Sequence, residues 1–254
     1  MLKNEIKEKI KKNELTQGAI TSLYSPAVVE MLGYAGYEFI IMDDEHGAYS
    51  GAEMEEMIRS ARLTGMVPII RVSYDPSSIQ KALDRGALGI QVPMVNSREQ
   101  AERVVQAAKY PPYGKRGTAF SMRAAGYGFH GGEAFMNASD EQILISVQIE
   151  TPEAAENFTE IMDVPGIDMA FLGPTDLSVN MGYRNGADHP EVQEVLSGLY
   201  REGAVMKTPI GTIASSREDV LQAQQKGACF VSLVVTNVMK KAFVNSLAPQ
   251  QSTS

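Results

Sequence analysis

Short apolar runs recur along the chain, and between them lie longer stretches in which polar and apolar residues mix at helical spacing. The runs are 18–23, 39–42, 67–72, 88–92, 143–149, 168–172, 209–213 and 230–234. Near-continuous Val, Ile, Leu and Met without alternation is the pattern of strands covered on both faces, as in a parallel sheet. The intervening stretches carry helix-start signals. Pro26 and Pro190 stand where a first turn tolerates a residue lacking an N–H, and Pro76 opens a helix ending near Arg85-Gly86. Ser97 precedes Gln100, and Ser216 precedes Asp219, at the spacing of a capping box. The remaining predicted helices cover 3–12, 26–35, 51–63, 97 to about 109 and about 191–201, with one more after each of the runs ending at Ile149 and Leu172. Eight strands alternating with helices predict a (β/α)8 barrel as a single domain over 1–254, with the 3–12 helix ahead of it and a disordered tail near 250–254. Residues 110–140, rich in Pro, Tyr and Gly, break the rhythm; an insertion this long is expected to close the active site or to form a subunit interface.

Composition narrows the function. At 254 residues and 44% hydrophobic, the chain can bury a full core, and only the strand pattern separates one barrel from two small domains. A net charge of -8, a pI near 5.0 and no Lys/Arg cluster argue against nucleic-acid binding. The single cysteine, Cys229, lies in an apolar run, which excludes a disulfide framework and a cysteine metal site and points to a reducing compartment. The N-terminus lacks the apolar stretch of a signal peptide, and no window approaches about eighteen uninterrupted apolar residues. A cytoplasmic protein that neither spans nor binds a membrane is expected.

In a barrel the catalytic residues lie at the carboxyl ends of the strands, and polar residues crowd those ends here. Asp43, Glu45 and His46 follow the second run, Arg71 ends the third, Gln148 and Glu150 end the fifth, and Gly173, Pro174, Thr175 and Asp176 follow the sixth. Glu150 and Asp176 are placed either to converge on a hard divalent cation or merely to favour a following helix. Among the three histidines His46 is the candidate base, with Asp43 three positions before it to orient the ring. Arg71 needs an anion, whether a structural carboxylate or a substrate's. The amides of 173–176 offer an anion site at a helix start, or a plain turn. No lysine lies inside a strand, so Schiff-base chemistry lacks its residue.

Five ordered motifs carry a resemblance. They are Ile41-Met42-Asp43-Asp44-Glu45-His46, Val92-Pro93-Met94-Val95, Tyr110-Pro111-Pro112-Tyr113-Gly114-Lys115-Arg116-Gly117, Val147-Gln148-Ile149-Glu150-Thr151 and Leu172-Gly173-Pro174-Thr175-Asp176-Leu177-Ser178. Together, over 18–235, the chain resembles the HpcH/HpaI aldolase family of metal-dependent pyruvate aldolases. The resemblance implies a barrel whose last helix is exchanged between subunits of a homo-oligomer, a hexamer built as a trimer of dimers, with Mg²⁺, Mn²⁺ or Co²⁺ bound. It implies that Glu150 and Asp176 are the metal ligands, that Arg71 neutralises the pyruvate carboxylate or enolate, and that His46 with Asp43 is an acid–base dyad. Gln148, Gly173, Pro174 and Thr175 would line the pyruvate pocket, and Asp84 would act near the aldehyde side at a subunit interface. The expected reaction cleaves a 4-hydroxy-2-oxo acid to pyruvate and an aldehyde, with aromatic-compound catabolism as one setting. Alternatives are a lyase for an acyl-CoA ester, which would want a basic nucleotide-binding patch, and a non-catalytic paralogue. Two departures from the family pattern, Asp44 in place of Gly and Gly47-Ala48 where a proline is common, fall on the aldehyde side.

Overall fold

Every predicted run becomes a strand, and the strands pair in chain order until the eighth returns to the first, closing a parallel barrel. The computed structural model describes residues 3–73, 75, 77–184 and 186–247. The expectations for Pro76 and for the 250–254 tail lie outside the described residues. The strands are β1 (Thr16–Thr21), β2 (Phe39–Asp43), β3 (Val67–Arg71), β4 (Gly89–Val92), β5 (Leu144–Ile149), β6 (Met169–Leu172), β7 (Ile210–Ala214) and β8 (Ala228–Val234). Around them run α1 (Glu5–Lys11), α2 (Pro26–Tyr34), α3 (Gly51–Leu63), α4 (Ser78–Asp84), α5 (Arg98–Ala108), α6 (Gly132–Gln142), α7 (Pro152–Glu156), α8 (Phe158–Met162), α9 (Pro174–Asn180), α10 (Pro190–Met206), α11 (Arg217–Lys226) and α12 (Val235–Ser246). Among the described residues no helix is long and apolar enough to cross a membrane.

Boundaries moved where polar atoms decide them. β1 begins two residues earlier than its apolar run, because Thr16 pairs with Phe230 and its hydroxyl donates to the Cys229 carbonyl (3.0 Å). Ser97 caps α5 as expected, yet Gln100 Oε1 accepts from Asn96 rather than closing a capping box; the true capping box is Ser50 with Glu53 at the start of α3. Half of the 110–140 insertion is regular: a 3-10 segment, Arg123–Gly128, kinks where Gly126 and Tyr127 both take positive φ, and α6 follows. The expected helix after β5 is two short ones, divided at Asn157, whose side chain donates to the Asn96 carbonyl (2.9 Å).

Side chains alternate in and out along each barrel strand, and two cores result. Outward residues such as Ile40, Ile70, Ile145 and Ala170 pack under the helices with Met57, Ile58 and Leu199. Inward residues, among them Phe39, Ile69, Leu144, Met169 and Phe230, fill the amino-terminal half of the barrel. Phe39 stacks on Phe230 at 3.8 Å between ring centroids, and Phe171 meets Phe230 edge-on. That stack requires Gly18, where a Cβ would come within 2.3 Å of the Phe39 ring. Helix α1 plugs this end of the barrel. Ile6 and Ile10 join the inner core, Asn4 donates to the Leu88 carbonyl (2.8 Å), and buried Lys7 reaches Asp168 (2.9 Å) and the Ile143 carbonyl (2.7 Å). Full burial of each large aliphatic side chain stabilises by about 1.5–3 kcal/mol. Toward the carboxyl ends the same inward face turns polar: Arg71, Gln91, Ser146, Gln148 and Ser232 continue the positions of Ile69, Leu144 and Phe230. Both amide atoms of Gln91, the hydroxyls of Ser146 and Ser232 and the Gln148 Oε1 are buried there without a hydrogen-bond partner among the described residues.

Candidate active site

The register of β2 against β3 sets Asp43 beside Arg71. The pair is bidentate, Nε to Oδ1 at 2.8 Å and Nη2 to Oδ2 at 2.7 Å, with Glu45 Oε2 3.3 Å from Nε. Arg71 is only 13% exposed. Burial opposes its charge, but the hydrogen bonds and charge of Asp43, with Glu45 and Glu150 beyond, hold its pKa above the ordinary value. The anion that Arg71 needs is therefore, first of all, structural. Its Nη1 has no partner among the described residues and stays available.

The expected Asp43–His46 dyad is not what forms. Asp43 Oδ1 also accepts from the backbone N–H groups of Glu45 and His46 (both 3.2 Å), so the carboxylate is spent on Arg71 and on the turn. The His46 side chain is 67% exposed and the acid closest to its ring is Glu45, at 3.9 Å, beyond hydrogen-bonding distance. An i−3 acid reads in sequence as a partner for the ring; the backbone of a tight turn competes for the same oxygen and wins, because its amides are already within reach.

Glu150 sits just past β5, almost wholly buried. Its Oε1 accepts from the Met94 N–H (2.7 Å) and its Oε2 from Gln148 Nε2 (2.8 Å). Burial pushes its carboxyl up to about 7, against the Met94 hydrogen bond and the Arg71 charge, and the carboxylates of Asp176 and Glu45 push the same way as burial. Met94 takes φ 54°, a conformation sparsely populated by non-glycine residues, and that turn aims its amide at Glu150. Only the Val92-Pro93-Met94-Val95 motif marked this backbone donor; its side-chain type carries no signal.

Gly173 lets the next element approach. A Cβ there would come within 3.1 Å of the Glu150 Oε2, so the chain entering α9 lies directly against the carboxylate, and Asp176 follows in the first turn. Of the four backbone groups expected to cradle an anion, Gly173 N–H is already bonded to the Ile149 carbonyl (3.2 Å) and Pro174 has none. The N–H groups of Thr175 and Asp176 remain without partners among the described residues. Among the described residues Asp84 makes no hydrogen bond or ion pair with these groups. It ends α4 and pairs with buried Arg116 (2.8 Å), which rests on the Tyr110 ring.

Among the described residues there is no group of three or more His, Cys, Asp and Glu side chains of the kind that encloses a metal. The two-carboxylate set still fits a hard divalent cation. A buried carboxylate whose ionisation is opposed by burial and by two like charges is relieved by a cation, and oxygen donors with water or substrate completing the shell suit Mg²⁺-type coordination.

The HpcH/HpaI aldolase/citrate lyase family model matches residues 20–240. The chain is 34% identical over 241 residues to the 2-keto-3-deoxy-L-rhamnonate aldolase of Escherichia coli (strain K12), covering 94% of this chain and 90% of the relative. The crystal structure of an HpcH/HpaI aldolase from Desulfitobacterium hafniense DCB-2 superposes with a TM-score of 0.85 at 28% identity, over 96% of this chain and 97% of that one. A family protein from Burkholderia cenocepacia J2315, at 24% identity, shares the fold with a TM-score of 0.91, over 96% and 97% of the two chains.

Proposed function

The chain belongs to the HpcH/HpaI aldolase/citrate lyase family, and from that premise we propose that this class II aldolase reversibly cleaves a 4-hydroxy-2-oxo acid into pyruvate and an aldehyde. The observation that carries the reading is Glu150, a carboxylate buried just past β5 and held by Met94 and Gln148 with the start of α9 against it, where burial and the charges of Asp176 and Glu45 disfavour its ionisation. Glu150 and Asp176 would hold a divalent cation, Mg²⁺, Mn²⁺ or Co²⁺. Bound there, the ion supplies Lewis-acid stabilisation of the charge that develops on the 2-oxo oxygen.

The remaining roles belong to the chain's own groups. Arg71, fixed by Asp43, turns its unused Nη1 toward the substrate's carboxylate or enolate, so Asp43 acts by positioning the guanidinium. Gln148 holds Glu150 with its amide nitrogen and keeps its oxygen free, while Gly173, Pro174 and Thr175 form the wall that a small oxo acid meets. His46, exposed at the rim and with no hydrogen bond on its ring among the described residues, takes the proton from the 4-hydroxyl in cleavage and from the pyruvate methyl group in addition. A positioned base is typically worth about 10² to 10⁴ in rate. A 2-keto-3-deoxy-L-rhamnonate, the substrate in the relatives' name, is itself a 4-hydroxy-2-oxo acid.

The acyl-CoA-ester alternative gains nothing here. Four carboxylates, Asp43, Glu45, Glu150 and Asp176, gather at the mouth, and the guanidinium beside them, Arg71, is held by Asp43. Turnover of pyruvate with a panel of aldehydes, read by product mass, tests the proposal. Aldol adducts are expected with metal and none after EDTA; full activity in excess chelator, or borohydride trapping of pyruvate on the protein, would overturn it.

A further inference from the structure

Away from the mouth, a cavity of about 720 Å³ opens between the end of α3, the loop entering β4, the 3-10 segment and the first turns of α6. Its walls include Arg62, Leu88, Arg123, Tyr127, His130 and Phe135. Leu88 immediately precedes β4, so the cavity lies at the amino ends of the strands, opposite Glu150 and Arg71. Its volume is within the range of small-molecule sites, about 300–1,000 Å³.

Its charge runs against the rest of the molecule. The chain carries -8 overall, yet no Asp or Glu lines this cavity and two guanidiniums do. Among the described residues, neither Arg62 nor Arg123 has a carboxylate within salt-bridge distance. Neighbouring Arg59 is already taken by Glu55 (2.8 Å) and by the Tyr127 hydroxyl (3.2 Å). Half-buried Arg123 makes one neutral contact, Nη1 to the Arg85 carbonyl (3.0 Å). It lies against Gly86, where a Cβ would fall 2.4 Å from that nitrogen. Burial first, then the charge of Arg59, with Arg62 further off, holds Arg123 below the usual arginine range, against the smaller opposing influence of Tyr127 and Glu55. A half-buried cation facing other cations is unfavourable until an anion joins it. The opening of α6 points the same way: Gly131 and Ala134 line the cavity and no side chain caps that helix start. Tyr127 and Phe135 supply aromatic wall beside the charges.

We propose that this cavity is a second ligand site, separate from the active site, for a small molecule carrying a carboxylate or phosphate on an apolar or aromatic body. Arg62 and Arg123 take the anionic group and Tyr127 with Phe135 the ring. Within one chain it is distinct from the mouth, since none of Asp43, Arg71, Glu150 and Asp176 lines it.

Calorimetric titration of the full-length chain with benzoate, phenyl phosphate and inorganic phosphate tests this. One ring-bearing anion is expected to bind once per chain, more tightly than inorganic phosphate; whether benzoate or phenyl phosphate binds better assigns the anionic group. Arg62→Ala, at an exposed position that leaves packing intact, should weaken binding about tenfold or more, the loss of one charge-assisted contact. Glu150→Gln, at the opposite mouth, should leave it unchanged. No binding by about 10 mM of any probe, a range that leaves under about 3 kcal/mol of affinity, would overturn the site. So would Arg62→Ala binding as wild type, Glu150→Gln abolishing binding, or inorganic phosphate matching both ring-bearing probes.

Discussion

Glu150 is the residue on which the chemistry and the stability of the barrel meet. Its folded pKa is raised from 4.5 to about 7, so in the metal-free protein the folded state holds a proton that the unfolded chain releases. The associated stability is fully present below about 4.5 and is lost as pH rises through about 7, an effect on the order of 3 kcal/mol. Thermal melts of chelated protein should therefore fall between pH 5 and 7, and Glu150→Gln should flatten that slope; an unchanged slope in the variant would remove the assignment. His46 and Arg71 separate by reaction. Oxaloacetate decarboxylation reaches the pyruvate enolate without removing a proton, so His46→Ala should lose about 10² to 10⁴ of aldol cleavage and of methyl-proton exchange yet keep most decarboxylation. Arg71→Ala should damage both reactions, and Asp43→Asn should resemble it more than it resembles His46→Ala, because Asp43 holds the guanidinium. Equal loss of both reactions in His46→Ala would show that its role is not that of the base.

Between elements, the Asp84–Arg116 pair ties α4 to the 110–140 segment. Arg116 is buried and its Nε has no partner among the described residues. Removing one member of such a pair leaves a charge stranded, so Asp84→Ala should destabilise by about 3–5 kcal/mol in urea titrations. If Asp84 also serves a neighbouring subunit's aldehyde pocket, as the family resemblance implies, Asp84→Asn will lower kcat/KM at temperatures far below its melting point. Activity unchanged there would leave Asp84 a purely structural residue. The same elements show where sequence pattern stops. Helices α5 and α11 were legible because Ser caps are local signals. Helix α6 was not, because it opens at Gly131-Gly132 with no capping side chain, and glycines in that number read as loop.

For the whole molecule, α12 leaves Val238, Phe243 and Val244 exposed, and Leu247 just beyond it, an apolar face of the kind that marks an interface. A homo-oligomer built on this helix, expected to be a hexamer, predicts sedimentation at a multiple of 27.6 kDa. Phe243→Asp with Val244→Asp should shift the species toward the single chain, and a monomeric wild type that turns over normally would exclude the interface.

The sequence by itself determined the barrel and the inventory of its mouth. Burial on both faces forces continuous apolar strands, and a barrel builds its site at their carboxyl ends, so Arg71, Glu150 and Asp176 were visible as residues before any contact was known. Tertiary structure alone decided who holds whom. Strand register gave Asp43 to Arg71 instead of His46, a positive-φ Met94 supplied Glu150 with a backbone donor, and the 110–140 segment gave Asp84 the partner Arg116. Such pairings depend on which of several competing partners lies within about 3 Å, and residue type and spacing along the chain do not encode that distance.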